Sequence, residues 1–328
     1  MTNRFSVIQW GILSTGRMAD GFATDFLHVE GANLVAVASR SQDRAEDFAR
    51  KHGILRAYGT YQELLEDPDV DVVYIGTPHN RHLRDARQAM AAGKAVLCEK
   101  PLTVNPDECR NLIAVSERTG VYLMEAMWTW FLPAVQRAKE WVEAGRIGRI
   151  RHLKADFGYP QAYDSEKREY NVTLGGGALL EMGIYPVALA WYFLRQDPSR
   201  VKVVSRRAPN GVEDDVVAVF DYADEEGEPS TVATLATSFR CKLQNWAYIV
   251  GDEGYIAIPD FWRARECSLY VLDERVDHFQ EEREHQGFCH EARAVNDDLR
   301  QGRRESSVVQ QSDSLKFQEH MARIRAHF

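Results

Sequence analysis

Three groups of residues in this chain have types and spacing that could do chemistry. The first is Glu99-Lys100-Pro101, where a lysine follows the short apolar run Ala95 to Cys98. A lysine at the end of a buried strand can polarise a carbonyl or hydrogen-bond a substrate hydroxyl. Desolvation would lower its pKa and let it share in proton transfer. The second is the segment Gly175 to Pro186, in which a glycine triplet leads into a helix start and Glu181 and Tyr185 stand four residues apart. That spacing puts a carboxylate and a phenol on one helical face, where together with a lysine they would form an acid/base set. The third is the turn after the first apolar run, which reads Ser14-x-Gly16-x-x-Ala19. In that register Gly16 would let the backbone approach a pyrophosphate and Ala19 would permit close helix–strand packing, with Ser14 in place of the first glycine. Each group also has a plainer reading: a surface lysine, a buried core tyrosine, an ordinary strand-turn-helix.

Two further strand ends bear on the third group. Ser39-Arg40-Ser41 closes the second β-branched run. An acidic residue there would take a ribose 2′-hydroxyl, whereas an arginine with hydroxyl neighbours suits a 2′-phosphate; otherwise Arg40 is a solvated surface residue. The stretch Gly76-Thr77-Pro78-His79-Asn80-Arg81-His82 closes the next run. Thr77 and Pro78 could line a ribose, and His79 and His82 are either cofactor neighbours or solvated loop histidines. The expected cofactor is NADP, with NAD possible. Its contacts would come from Ser14, Thr15, Gly16, Arg17 and Met18 in the first loop and Ser39 and Arg40 in the second. Thr77, Pro78, His79, Asn80 and His82 would serve in the third, and Glu99 and Lys100 in the fourth.

Bringing these loops to one edge requires a parallel sheet. Apolar runs at Val7 to Leu13, Asn33 to Ser39, Asp71 to Gly76, Ala95 to Cys98 and Val121 to Glu125 alternate with helix-like segments. Those segments are Arg17 to Val29, Gln42 to His52, Arg81 to Ala92 and Pro106 to Thr119. This alternation predicts parallel βαβ units with helices on both faces, hence strands that are continuously apolar. After Glu125 the pattern changes. A helix over Pro133 to Ala144 ends at Gly145, and another spans Leu179 to Leu194. Strand-like runs follow at Arg149 to Gly158, Val201 to Ser205, Val216 to Tyr222, Thr231 to Phe239, Trp246 to Gly251 and Tyr255 to Ile258. Hairpin-like turns at Asp224 to Pro229 and Gly251 to Gly254 predict a largely antiparallel sheet with helices on one face. Closing helices are expected at His290 to Arg300 and Ser312 to Ala326, the second returning toward the first domain.

Composition narrows the function classes. With 328 residues the chain is long enough for two cores. Forty Lys and Arg against 49 Asp and Glu give a net charge of -9, with no dense basic run, which argues against a nucleic-acid partner. The five cysteines form no CxxC pair, and His285, Cys289 and His290 lack a familiar ligand spacing, so neither a disulfide framework nor a metal site is expected. Met1 to Ser6 holds no apolar leader and no run of about 18 apolar residues occurs, so the expected location is the cytoplasm, away from membranes. The acidic run Asp224 to Glu228 reads as a solvated hairpin tip.

In their order and spacing, the first loop, Glu99-Lys100-Pro101 and the GGGALLEMGIYP segment resemble the glucose-fructose oxidoreductase/inositol dehydrogenase (Gfo/Idh/MocA) family over essentially the whole chain. Within it, Glu125-Ala126-Met127-Trp128-Thr129-Trp130-Phe131 and Tyr185 are most similar to the branch of dimeric dihydrodiol dehydrogenases and NADP-dependent D-xylose dehydrogenases. Many other members carry histidine where this chain has Tyr185. The resemblance implies an α/β protein with a Rossmann domain over residues 1–125. A C-terminal α/β domain over 126–328 would carry a large, mostly antiparallel open sheet that makes a homodimer or homotetramer interface. It implies Lys100 and Tyr185 as the catalytic pair, with Tyr185 the acid/base toward the substrate oxygen and Lys100 lowering its pKa and orienting the substrate. Glu181 falls where the family has aspartate, as a substrate-hydroxyl ligand or a support. The branch's aromatic pocket corresponds to Trp128, which also borders the cofactor, and to Phe157 and Trp262. The two tryptophans are either walls that stack on a sugar or diol face or plain core packing. Trp130 stands where the branch commonly has arginine. The implied reaction is reversible hydride transfer between the nicotinamide and a secondary alcohol or carbonyl of an aldose, such as D-xylose or D-glucose, or of a trans-diol. The alternatives are a cyclitol or amino-sugar dehydrogenase and a non-enzymatic NADP-binding regulator.

Overall fold

The computed structural model describes residues 7–223 and 229–328; the acidic run Asp224 to Glu228 and the segment Met1 to Ser6 lie outside the described residues. In chain order the first elements are β1 (Ile8–Leu13), α1 (Arg17–Asp25), β2 (Ala32–Ala38), α2 (Gln42–His52), β3 (Arg56–Tyr58), α3 (Tyr61–Glu66) and β4 (Val72–Ile75). Then follow α4 (His82–Ala91), β5 (Ala95–Glu99), α5 (Pro106–Thr119), β6 (Leu123–Ala126), α6 (Pro133–Glu143), β7 (Ile150–Gly158) and α7 (Ile184–Leu194). The rest are β8 (Arg200–Arg207), β9 (Glu213–Ala223), β10 (Pro229–Ser238), β11 (Ala247–Gly251), β12 (Tyr255–Ile258), β13 (Glu266–Val271), β14 (Glu274–Gln280), α8 (Phe288–Arg300) and α9 (Gln311–Arg325).

The chain forms two compact units. The first holds the residues through Trp128 together with Arg283–Leu315, the second Thr129–Glu282 with Lys316–Phe328. The expected second domain, unbroken over 126–328, is thereby corrected: α8 returns to the first unit. The physical cause is a set of contacts spanning most of the sequence. The buried Asp25 carboxylate accepts the N–H groups of Gln286, Gly287 and Phe288 at 3.0, 2.7 and 2.9 Å, just where α8 begins. The Trp10 indole N–H donates to Asn296 Oδ1 at 2.9 Å. The last helix was expected to be the returning one, but only its first residues, to Leu315, group with the first unit.

The first unit is built on a six-stranded parallel sheet in the order β3-β2-β1-β4-β5-β6. β1 lies between β2 and β4. Strand order therefore reverses beside β1, and the carboxyl ends of these strands share one edge, where ligands of doubly wound sheets lie. β4 and β5 are buried at every position, which is why they read as unbroken apolar runs. α1 stops at Asp25, short of the expected Val29, because Phe26–His28 tighten into a 3₁₀ turn.

The second unit carries an eight-stranded sheet, β14-β13-β12-β11-β7-β10-β9-β8, antiparallel except for the β7–β10 pair. α6 packs on β12, β13 and β14, and α7 packs on β7 and β10. β9 alternates, burying Asp214, Val216, Ala218, Phe220 and Tyr222 and leaving Val217 exposed. The expected helix Leu179 to Leu194 is instead a π-helical turn, Leu179–Gly183, that runs into α7. Across Val172–Leu194 the most apolar window has a mean hydropathy of 1.4, high enough for a membrane span, but 67% of it is buried, which marks a core segment.

Candidate active site

The first loop shows why its fingerprint is imperfect. Ser14 leaves β1 with φ of 123°, a conformation that glycine adopts freely and serine holds at a cost of about 1–3 kcal/mol. Its N–H donates to the Ala38 carbonyl at 3.0 Å and its Oγ accepts the Gly16 N–H at 3.1 Å. Gly16 then opens α1 without a capping side chain, so the N–H groups of the first turn point out of the helix end as they do toward bound phosphates. Gly16 and Arg17 are exposed, Thr15 and Met18 half-buried. Ala19 is buried against Gly76, where an added Cβ would lie 3.7 Å from that of Ala19 and 3.2 Å from the Tyr74 ring.

At the end of β2, Ser39 is buried with its N–H on the Tyr58 carbonyl at 3.0 Å, whereas Arg40 is exposed. At the end of β4, Thr77 buries its hydroxyl with no hydrogen-bond partner among the described residues. Pro78 is half-buried and Asn80 exposed. An orphaned buried hydroxyl, an uncapped helix start and an exposed arginine on one edge fit a bound NAD(P).

Two of the expected cofactor contacts are buried among protein partners. His82 is fully buried, with Nδ1 at 2.8 Å from the Pro101 carbonyl and Nε2 at 2.8 Å from the Thr77 carbonyl. It braces the two loops against each other from the first turn of α4, and His79, also buried, meets its ring edge-on at 5.7 Å. Glu99 likewise faces inward: its Oε1 accepts the Tyr74 hydroxyl at 2.5 Å and its Oε2 accepts the Lys100 N–H at 3.2 Å. The carboxylate shapes the turn that presents Lys100, itself buried.

Two more acids surround this turn. Glu125, in β6, accepts the Leu102 N–H at 2.8 Å. Burial pushes its carboxyl from 4.5 up to about 7; the Ser314 hydroxyl, the Leu102 amide and the Lys100 ammonium pull it down and Glu99 pushes it up. Glu291, from α8, is fully buried with neither carboxyl oxygen hydrogen-bonded among the described residues. Burial first, then the charges of Glu99 and Asp25, push its carboxyl well above the ordinary glutamate range. Tyr74, Glu125 and Glu291 all escaped sequence reasoning. The available signal was a polar residue inside an apolar strand, LMEA for Glu125 and VVYI for Tyr74.

In the second unit the glycine triplet sets up the tyrosine. Gly177 has φ of 137°, and a Cβ there would lie 2.3 Å from a Glu213 carboxylate oxygen, so only glycine fits. The Glu213 carboxylate takes the Leu179 amide, placing negative charge at the helix start. The π-helical turn then carries Glu181, and Tyr185 is the second residue of α7. Such turns are rare and concentrate at functional sites. The buried Tyr185 ring meets Phe157 at 5.4 Å and Trp262 at 6.2 Å, and these two stack on each other at 4.8 Å and 20°. Thr129 Oγ1 donates to the Trp262 carbonyl at 2.8 Å, and the Arg263 guanidinium covers its ring at 4.9 Å. Asn245 fixes the end of β7 by accepting the Gly158 N–H at 2.9 Å and donating its own N–H to Asp156 at 2.6 Å.

Phe157, Tyr185 and Trp262 are thus brought together, with Glu181 on the adjoining turn. Glu181 is ion-paired with Arg168, a partner the sequence did not reveal. Trp128 belongs to the first unit and stacks on Phe288 at 4.5 Å and 12°, a core contact on that ring face. Trp130 is fully buried against Tyr192 at 4.6 Å and Phe317 at 5.3 Å, with the Arg195 guanidinium over its ring at 5.0 Å.

Residues 8–127 match the family model described as "Oxidoreductase family, NAD-binding Rossmann fold", and residues 135–257 match the "GFO/IDH/MocA C-terminal domain". The chain is 37% identical over 318 residues to the trans-1,2-dihydrobenzene-1,2-diol dehydrogenase of Mus musculus, covering 94% of this chain and 92% of that one. It is 35% identical over 326 residues to the Homo sapiens protein of the same name, covering 94% and 92%. The aldose-aldose oxidoreductase from Caulobacter crescentus, complexed with glycerol, shares the fold with a TM-score of 0.88 at 23% identity, covering 98% of this chain and 97% of that one. A 3-ketoreductase from Actinomadura kijaniata in complex with NADP and TDP-benzene aligns with a TM-score of 0.84 at 25% identity, covering 98% of each chain.

Proposed function

The chain belongs to the Gfo/Idh/MocA oxidoreductase family, and from that premise we propose that it catalyses reversible, NADP-dependent hydride transfer at a secondary alcohol or carbonyl carbon of a trans-diol or an aldose. The observation that carries this reading is the placement of Tyr185 against Phe157 and Trp262 at the start of a buried helix, in a chain whose other unit is an NAD(P)-binding Rossmann domain. Diol dehydrogenation is the named activity of relatives that match both units, and aldose oxidoreduction that of a structural neighbour.

The bound nicotinamide supplies the hydride acceptor or donor. The first-turn amides of α1 and the Ser14–Gly16 loop hold the pyrophosphate, with Thr15, Arg17 and Met18 beside it. Arg40, flanked by the Ser39 and Ser41 hydroxyls, takes the 2′-phosphate by charge-assisted hydrogen bonds. Thr77, with Pro78 and Asn80, lines the ribose. Tyr185 accepts the hydroxyl proton as the carbon is oxidised and returns it in the reverse direction. The Lys100 ammonium would stabilise the developing oxyanion. Glu181, steadied by Arg168, is a positioning residue for a neighbouring substrate hydroxyl. Phe157 and Trp262 offer an apolar face to the carbon-bound hydrogens and keep water away.

A screen at the nicotinamide absorbance band tests this reading, comparing NADP with NAD on D-xylose, D-glucose and trans-diols. Reduction with preference for NADP is expected. Preference for NAD would contradict the role of Arg40. Tight NADPH binding without turnover on any member of the panel would favour a regulatory protein instead. A cytoplasmic location and a homo-oligomer formed through the C-terminal sheet belong to the same proposal. The homo-oligomer is supported by the exposed cross-strand neighbours Val204 and Val217.

A further inference from the structure

A group of metal-ligating side chains lies in the first unit, in the segment that enters α8. His285, Cys289 and His290 offer ligand atoms that all fall within 4.8 Å of one another. The Cys289 sulfur is 3.4 Å from His285 Nδ1 and 3.6 Å from its Nε2. One tetrahedral zinc bound to a thiolate and an imidazole, with bonds of about 2.3 and 2.0 Å, separates sulfur and nitrogen by about 3.5 Å. The ring spacing agrees. Two imidazoles on such an ion have centroids about 5 Å apart. The rings of His285 and His290 are 5.2 Å apart, and the ring of His28, in the 3₁₀ turn after α1, is 5.0 Å from that of His285. No spacing rule in the sequence reveals this, because one ligand comes from residue 28 and two others are adjacent in the chain.

We propose that the first unit binds one divalent cation of the zinc class through His285, Cys289 and His290, with His28 as the fourth ligand. One sulfur and three nitrogen donors suit zinc over the oxygen-seeking calcium and magnesium. Binding displaces the Cys289 proton to solvent, and four protein ligands make the site structural. The local charges are mixed, since the Arg293 guanidinium donates to the His28 carbonyl at 3.1 Å. A helix N-terminus alone would repel a cation, but the Asp25 carboxylate already occupies the amides of Gln286, Gly287 and Phe288 there, adding a fixed negative charge beside the cluster. The ion would pin the entry of α8 to the end of α1.

Cobalt(II) titration of the metal-stripped, untagged full-length protein tests the proposal. A thiolate-to-cobalt charge-transfer band saturating at one equivalent per chain is expected, and zinc should abolish it and raise Tm by a few degrees. Cys289→Ser should lose the band, and Cys241→Ser, at the exposed cysteine, should keep it. His28→Gln should weaken cobalt affinity about tenfold or more. Should Cys289→Ser fold poorly, the His285→Gln/His290→Gln double variant gives the same readout. Absence of the band in the parent protein, or its persistence in the Cys289 or double-histidine variants, would overturn the proposal.

Discussion

At the scale of single residues, catalysis is assigned to two side chains with different tasks. Tyr185→Phe removes the proton acceptor while keeping the ring that packs on Phe157. It should lower kcat by about 10²–10⁴-fold with Tm and NADPH affinity little changed. Lys100→Met should likewise cut turnover while NADP still binds, as fluorescence titration of NADPH can show; unchanged turnover would remove Lys100 from the mechanism. Arg40→Ala should raise KM for NADP about 10–100-fold, the equivalent of about 1.5–3 kcal/mol for a charged hydrogen bond, and leave KM for NAD nearly untouched. Glu125 makes a prediction about pH. Its folded-state pKa of about 7 exceeds the 4.5 of an ordinary glutamate, so the folded state holds a proton that the unfolded state releases. The stabilisation is complete below pH 4.5 and is lost as pH rises toward 7, by about 3 kcal/mol in all. Urea unfolding of Glu125→Gln between pH 5 and 8 should show a flatter pH dependence than the parent, and a parallel pair of curves would contradict it. That Lys100 follows a buried strand and that Tyr185 stands on a buried helix was legible in the sequence. Glu291 and the brace of His82 were not, since a side chain's direction and its distant partners leave no local pattern.

At the scale of elements, legibility followed burial. β4 and β5 announce themselves because they are buried at every position and, Glu99 apart, apolar. β14 escapes detection because its residues, ERVDHFQ, are largely polar and exposed along an edge, where charge discourages further strand pairing. The π-helical turn before α7 escapes too: widening a single turn changes the periodicity of five residues too little to read. The return of α8 depends on Asp25, whose partners are more than 260 residues away. Asp25→Ala should leave the buried amides of Gly287 and Phe288, and the part-buried one of Gln286, without an acceptor and destabilise the protein by about 2–4 kcal/mol. Amide hydrogen exchange should speed up first over residues 286–300, and exchange that accelerates uniformly instead would argue against a local docking role.

At the scale of the whole molecule, the two-unit plan and the family were readable from motif order, whereas the domain boundary was not, because the second unit is interrupted by a segment that folds with the first. The uncovered face of the eight-stranded sheet bears on assembly. Val204→Lys with Val217→Lys should convert an oligomer to a monomer in sedimentation velocity, and an unchanged sedimentation coefficient would move the interface elsewhere. The central claim is hydride transfer from a carbinol carbon, and isotope labelling tests it most directly. NADP is incubated with the enzyme and a trans-diol or aldose deuterated at the oxidised carbon, and the recovered NADPH is weighed by mass spectrometry. Transfer of a single deuterium to the nicotinamide is the expected result, falling sharply in Tyr185→Phe. NADPH without label, or label transfer undiminished in that variant, would contradict it.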